Sequence, residues 1–211
     1  ITNPGIAKEN HVVPQASSTC EVLYELLDEE KITKGIAGAL YTGIIHDTGV
    51  FQHSCTGTRT MEIAGKLMNT GIDFTKIIQD SFYTKTYAQN QIMGRTIMES
   101  IMLLHGKCIV GYVKQKDMKF YGVTGKDLGG IVSQLRNTKG VEVAIFLYET
   151  GVQEYKVSMR SSGTVAKIAS YFGGGGHVLA AGCTMQGSVY DVINSLTYDI
   201  EKQLQECENA D

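Results

Sequence analysis

Two parts of this 211-residue sequence hold residues whose types and spacing could bind an anion or a cation. At 171–182, read as Y-F-G-G-G-G-H-V-L-A-A-G, four glycines (Gly173, Gly174, Gly175 and Gly176) follow an amphipathic pattern, and His177 stands directly behind them. Ending a helix requires one left-handed residue, and three further glycines carry a backbone entropy cost that a cap does not justify. Such a run makes sense where bare backbone must approach a group closely, typically a phosphate held by N–H donors. A flexible linker is the other reading of a glycine run. Its place between a helix pattern and an apolar segment favours a binding loop. One helix pattern earlier, Arg160 ends a strand pattern. Its planar fork suits a phosphate or carboxylate, and His177 can donate to the same oxygens whether neutral or cationic. Pairing with a surface acid is the competing reading of Arg160.

A different chemistry is suggested at Asp47. Ile36, Leu40 and Ile44 recur every four residues, Asp47 continues that face, and Gly49 supplies a stop signal. A carboxylate on an inward face is costly, and at a helix C-terminus it meets the negative end of the dipole. A bound cation would remove both penalties. Equally, Asp47 could roll into solvent or cap the turn at Thr48 and Gly49. His46 and His53 flank it, but histidines beside a turn are more often surface or core residues than ligands.

The elements that must position these residues follow from periodicity. Residues 1–15, with Pro4 and Pro14, read as extended loop. Ser18 and Glu21 fit a capping box for a helix over about 17–30. Residues 50–57 read as a short strand or loop, 58–69 as a helix, and Asp73 as the N-cap of another. The spacing of Met93, Ile97, Ile101 and Leu104 predicts a connector helix through 84–104, with a domain boundary near 105. Beyond it, β-rich runs at 107–113 and 119–124 precede a helix through Leu128, Ile131, Val132 and Leu135. The continuous apolar run 141–148 predicts a buried strand, and 155–160 alternates as a half-buried one. Val165 to Phe172 and Val192 to Leu204 are helix patterns. The fold class expected is α/β: a helix-rich part at 1–82, a connector helix at 83–105, and a smaller α/β domain at 106–211.

Composition bounds the partners. A net charge of -3 removes any bulk electrostatic case for duplex nucleic acid or an anionic membrane, so an anionic ligand needs a local site. Five scattered cysteines (Cys20, Cys55, Cys108, Cys183 and Cys207) lack C-x-x-C pairing, which fits a reducing, cytoplasmic setting. No apolar run approaches the ~18 residues needed to span a membrane. The sequence starts at Ile1, in a loop pattern, as expected of an excerpt from a longer protein.

The motifs resemble a known family. S-M-R-S-S-G at 158–163 with F-G-G-G-G-H-V-L-A-A-G at 172–182 is similar to the C-terminal DHH-associated domain. Y-T-G-I-I-H-D-T-G-V-F at 41–51 resembles the last metal-binding motif of the DHH phosphoesterase domain, and 15–27 resembles the helix after its Asp-His-His signature. The likeness is to the bacterial oligoribonuclease and 3′,5′-bisphosphate nucleotide phosphatase type, which includes exopolyphosphatase-related proteins. It implies two domains facing a cleft, a manganese (Mn2+) pair that activates water, and Asp47 as a late metal ligand. Arg160, His177 and the glycines at 173–176 would lie on the substrate side. The implied partners are short single-stranded RNA or DNA or a nucleoside bisphosphate, with a homodimer as one assembly. Two family motifs, H-x-D-x-D and Asp-His-His, are absent from these residues, so the chain alone is expected to be catalytically incompetent. Val178 stands where many members carry lysine, which would weaken phosphate attraction. Two alternatives stay open: a non-catalytic nucleotide- or RNA-binding module, like the related domain of alanyl-tRNA synthetases, and polyphosphate or pyrophosphate hydrolysis.

Overall fold

A computed structural model of the protein describes Gly5, residues 7–163 and residues 165–208. Residues 1–4, with Pro4, and residue 6 of the expected extended segment lie outside the described residues; the described remainder up to residue 15 has neither helix nor strand. The chain divides into two compact units, Ile1–Lys85 and Thr86–Asp211. Cys20, Cys55, Cys108 and Cys183 are free thiols. Among the described residues no helix is long and apolar enough to cross a membrane.

The regular structure described in the first unit is helical: α1 (Thr19–Leu26), α2 (Lys34–Thr48), α3 (Thr58–Asn69) and α4 (Phe74–Ile78), the last running into a π-helical turn at Gln79–Tyr83. Ala37, Leu40, Tyr41, Ile44, Ile45 and Thr48 are the buried residues of α2, a stripe at the i, i+3, i+4 spacing of a core-facing helix. It packs on Tyr24, Ile63, Leu67 and Ile72. Each fully buried Ile or Leu side chain stabilises the unit by about 1.5–3 kcal/mol. The capping box expected at α1 forms only in half. Ser18 accepts from the Cys20 N–H at 3.1 Å, but the buried Glu21 carboxylate takes hydrogen bonds from Ser17 and Thr60. Helix α1 also ends earlier than expected, and a 3-10 turn at Glu29–Lys31 follows.

The second unit is built on a six-stranded sheet, β1 (Ile101–Leu103), β2 (Cys108–Val113), β3 (Val143–Gly151), β4 (Glu154–Ser161), β5 (Gly175–His177) and β6 (Ala180–Gln186), in the order β1-β2-β3-β4-β6-β5. Strands β2 and β3 run parallel; the other neighbours are antiparallel. Its helices are α5 (Tyr87–Met98), α6 (Gln115–Tyr121), α7 (Ile131–Arg136), α8 (Ala166–Tyr171) and α9 (Val189–Glu208). The architecture is α/β, as expected.

Three expected elements differ. The helix through 84–104 is α5 alone; Ile101 to Leu103 instead pair with β2, and the turn closes through Leu104, His105 and Gly106, all at positive φ. Apolar residues three and four apart serve a helix face or a strand end equally, and here sheet pairing wins. The run 119–124 is not a strand. The Asp117 carboxylate accepts from the Lys114 N–H at 3.1 Å at the start of α6, and Gly122, at φ 65°, stops the helix. Leu128 sits in a 3-10 turn (Gly125–Leu128), cut off from α7 by Gly130 at φ 90°.

The sheet is covered unequally, and this creates the site. On one face, the inward side chains of the long strands, among them Ile145, Val157, Met159 and Cys183, pack under α8 and α9. On the other, Ile109, Val113, Ala144 and Phe146 pack against α5 and α7, and this apolar layer includes no described residue of β4, β5 or β6.

Candidate anion-binding groove

The uncovered part of that second face forms a groove of about 580 Å³. Along β4, Tyr155, Val157 and Met159 are buried, which turns Lys156, Ser158 and Arg160 to the groove. The register then dictates the rest. Arg160 pairs with Ala180, which pairs with His177; Ser158 pairs with Gly182, which pairs with Gly175; Lys156 pairs with Thr184. Directly paired residues share a face, so polar side chains surround a floor of Ala180, Gly182 and Gly175.

Arg160 is half-buried and donates from Nη1 to the Met159 carbonyl at 3.0 Å. Burial pulls its pKa below the ordinary arginine range, and no acidic neighbour among the described residues offsets this. The reading of Arg160 as a surface ion pair is therefore not what is found. A guanidinium in this setting keeps its charge, and an incoming anion would offset its desolvation.

The glycine run is a loop only in its first half. Gly173, at φ 75°, ends α8, and the Gly174 N–H closes back on the Ala169 carbonyl at 2.8 Å. Gly175 and Gly176 continue into the edge strand β5. A Cβ on Gly174 would stand 2.1 Å from the Gly182 carbonyl oxygen, and one on Gly176 2.5 Å from that of Ala180. These two glycines are needed because the β6 backbone lies against them. At Gly175 a Cβ would meet open space. Gly173, Gly174, Gly175 and His177 line the groove with Arg160, whereas Gly176 does not. The hairpin turn is tied down by hydrogen bonds from the Val165 N–H to Val178 and from the Ser161 N–H to Leu179, at 2.8 and 3.0 Å.

Lys156 and Thr184 also line the groove, although no sequence motif marks them, and so does Ser158, the first residue of the S-M-R-S-S-G motif. The alternation at 155–160 does place Lys156 and Ser158 on the side of Arg160. Thr184 carries no signal, because strand pairing is not written in local pattern.

In the first unit, Asp47 lies one position off the buried stripe of α2 and is exposed; the stripe ends in Thr48 instead. Its carboxylate accepts from Ser18 Oγ at 2.6 Å. The Asp47 carbonyl is 3.2 Å from His53 Nδ1. A carbonyl only accepts, so the ring donates this hydrogen bond from Nδ1. Residues 50–57, expected as a short strand or loop, form a turn of unusual build. Gly49, Val50 and Phe51 have φ of 57°, 54° and 66°. Each left-handed non-glycine residue costs about 1–2 kcal/mol. The cost is offset by hydrogen bonds from the Val50 N–H to Ile45 and the Phe51 N–H to Thr48 Oγ1, and by the Phe51 ring meeting Tyr41 edge-on at 6.1 Å. The His53 ring covers Gly49, where a Cβ would fall 2.5 Å from Nε2.

Among the described residues, no three His, Cys, Asp or Glu side chains gather to hold a metal ion. Asp47 suits one oxygen position on a hard divalent cation, but a single carboxylate does not hold such an ion against water.

The model of the DHHA1 domain matches residues 105–206. The match falls within the α/β unit. Over both units, the chain is 27% identical across 199 residues to the bifunctional oligoribonuclease and PAP phosphatase NrnA of Bacillus subtilis, covering 92% of this chain and 62% of that protein. Against the bifunctional oligoribonuclease and PAP phosphatase NrnA of Thermus thermophilus, identity is 29% across 192 residues, covering 88% and 56%. The crystal structure of an exopolyphosphatase-related protein from Bacteroides fragilis aligns with a TM-score of 0.83 at 25% identity, over 90% of this chain and 57% of that one. The family likeness carried by the motifs at 15–27, 41–51, 158–163 and 172–182 thus extends along the chain. The chain spans 56–62% of the length of these curated relatives.

Proposed function

We propose that this DHHA1 domain holds the phosphates of short oligonucleotides or nucleoside 3′,5′-bisphosphates for a phosphoesterase, and that Asp47 contributes one ligand to its metal centre. The observation that carries the reading is Arg160: a half-buried guanidinium whose burial no acidic neighbour among the described residues offsets, facing a groove that also holds His177. Two parallel N–H bonds from Arg160 would take two oxygens of one phosphate, and His177 would donate to a third. Fixing the phosphorus in this way lowers the entropic part of the barrier to attack by water. The small floor lets a sugar-phosphate lie close to the strands. The names of the relatives, bifunctional oligoribonuclease and PAP phosphatase, support the substrate class.

In this reading residues 1–82 are the latter part of a DHH domain and 106–211 the substrate-binding domain. The two compact units divide at 85, close to that partition. The remaining metal ligands come from the H-x-D-x-D and Asp-His-His motifs, the ion is manganese, the setting is cytoplasmic and the assembly a homodimer. These 211 residues alone would then bind substrate and not hydrolyse it. The test is manganese-dependent release of nucleoside monophosphates from a dinucleotide by a protein carrying this chain together with both motifs. Release that disappears in Asp47→Ala is expected; no release from the unaltered protein overturns the proposal. A second reading, binding without catalysis, is favoured by one observation: the residues lining the groove all belong to the second unit.

A further inference from the structure

We infer that Lys156, with Thr184 paired opposite it, forms a second anion position in the groove, and that Glu154 ends the track, so that the site measures two phosphates. The inference rests on the function proposed above. Lys156 and Arg160 are four residues apart on β4 and turn to the same face, about 13 Å apart at Cα. Between them stand Ser158 and, across the ladder, Gly182, so no large side chain divides the groove. Lys156 is exposed and takes part in none of the ion pairs among the described residues. Lysine is a flexible point charge that follows a phosphate without a fixed geometry, and the Thr184 hydroxyl adds a donor beside it.

One step further along the same face the charge reverses. Glu154 pairs with Gln186, and its carboxylate accepts from Thr150 Oγ1 at 2.6 Å and Gln186 Nε2 at 3.4 Å. Positions 160, 158, 156 and 154 of one strand face therefore read cationic, neutral, cationic and anionic. A ligand with two separated phosphates satisfies both cations, and a third phosphate meets a carboxylate.

The test is calorimetric titration of the full 211-residue chain with a nucleoside 5′-monophosphate, a nucleoside 3′,5′-bisphosphate and a dinucleotide carrying a 5′-phosphate. The unaltered chain is expected to bind the two-phosphate ligands about tenfold more tightly than the monophosphate. Lys156→Gln should erase that difference by weakening the two-phosphate ligands, while Arg160→Gln weakens all three. Equal affinity for all three ligands in the unaltered chain, or a preference that survives Lys156→Gln, overturns the two-phosphate inference and leaves the proposed function standing. Absence of binding by any of them overturns both.

Discussion

Arg160 and His177 both pair with Ala180, from opposite sides: Arg160 from β4 and His177 from β5. Two strand spacings set their Cα atoms about 10 Å apart, with only a methyl group between them. The two residues are far apart along the chain, and it is the hairpin of β5 and β6 that returns His177 to the row of Arg160. The glycines make that return possible, because they let β5 lie closely against β6.

The glycines are therefore expected to fail in different ways. Gly174→Ala drives a Cβ into the Gly182 carbonyl and Cys183, which should lower the unfolding free energy of the second unit by about 1–3 kcal/mol. Gly175→Ala adds a methyl in open space and should change stability by less than about 0.5 kcal/mol. Urea denaturation followed by circular dichroism separates the two, and equal losses would show that the close approach of β5 to β6 is misjudged.

Asp47 should be nearly silent for the fold. It is exposed and its carboxylate keeps one hydrogen bond, from Ser18. Asp47→Ala should destabilise the chain by no more than about 1.5 kcal/mol. Thr60→Val, which strips the buried Glu21 of a donor at 2.9 Å, should cost more, about 1–3 kcal/mol. Chemical denaturation of both variants checks the ranking, and a larger loss for Asp47→Ala would contradict it.

The thiols differ in accessibility and in acidity. Cys55 is exposed, whereas Cys108 is fully buried, and desolvation pushes its pKa from 9.0 up to about 12. At about pH 8 an alkylating reagent should modify Cys55 and spare Cys108 until the chain is unfolded. The folded state holds the Cys108 proton more tightly than the unfolded state. Its contribution to stability is therefore complete below pH 9.0 and is lost as pH rises towards about 12. Burial raises Tyr41 and Tyr155 as well, with the same sign. Denaturant titrations across this range should show falling stability, and mass spectrometry of labelled peptides reads the thiols directly.

Local pattern carries the site's chemistry further than its geometry. The i+4 spacing in α2, the alternation in β4 and the apolar run of β3 each follow from one element's own burial, so each is legible. The glycine run reads as a cradle because a close-packed edge strand and a phosphate loop both demand bare backbone. What distinguishes them is the partner strand, Ala180–Gln186, and pairing between strands leaves no periodic mark on either. Thr184 escapes notice for the same reason. Asp47 reads as inward because Ile36, Leu40 and Ile44 share its spacing, yet Ile36 is 41% exposed and the buried stripe, which keeps Leu40 and Ile44, ends at Thr48. The left-handed turn at Val50 and Phe51 is beyond reach of the sequence, since both residues disfavour that conformation and contacts with Tyr41, Ile45 and Thr48 hold it.

The central claim, that the anion is held by the β4–β6–β5 groove independently of Asp47, is tested most directly by fluorescence titration of the 211-residue chain with a short 5′-phosphorylated oligonucleotide. Binding should be unchanged in Asp47→Ala and weakened about tenfold or more in Arg160→Ala, where a charged hydrogen-bonding group is lost. Binding that falls with Asp47→Ala and survives Arg160→Ala would contradict it.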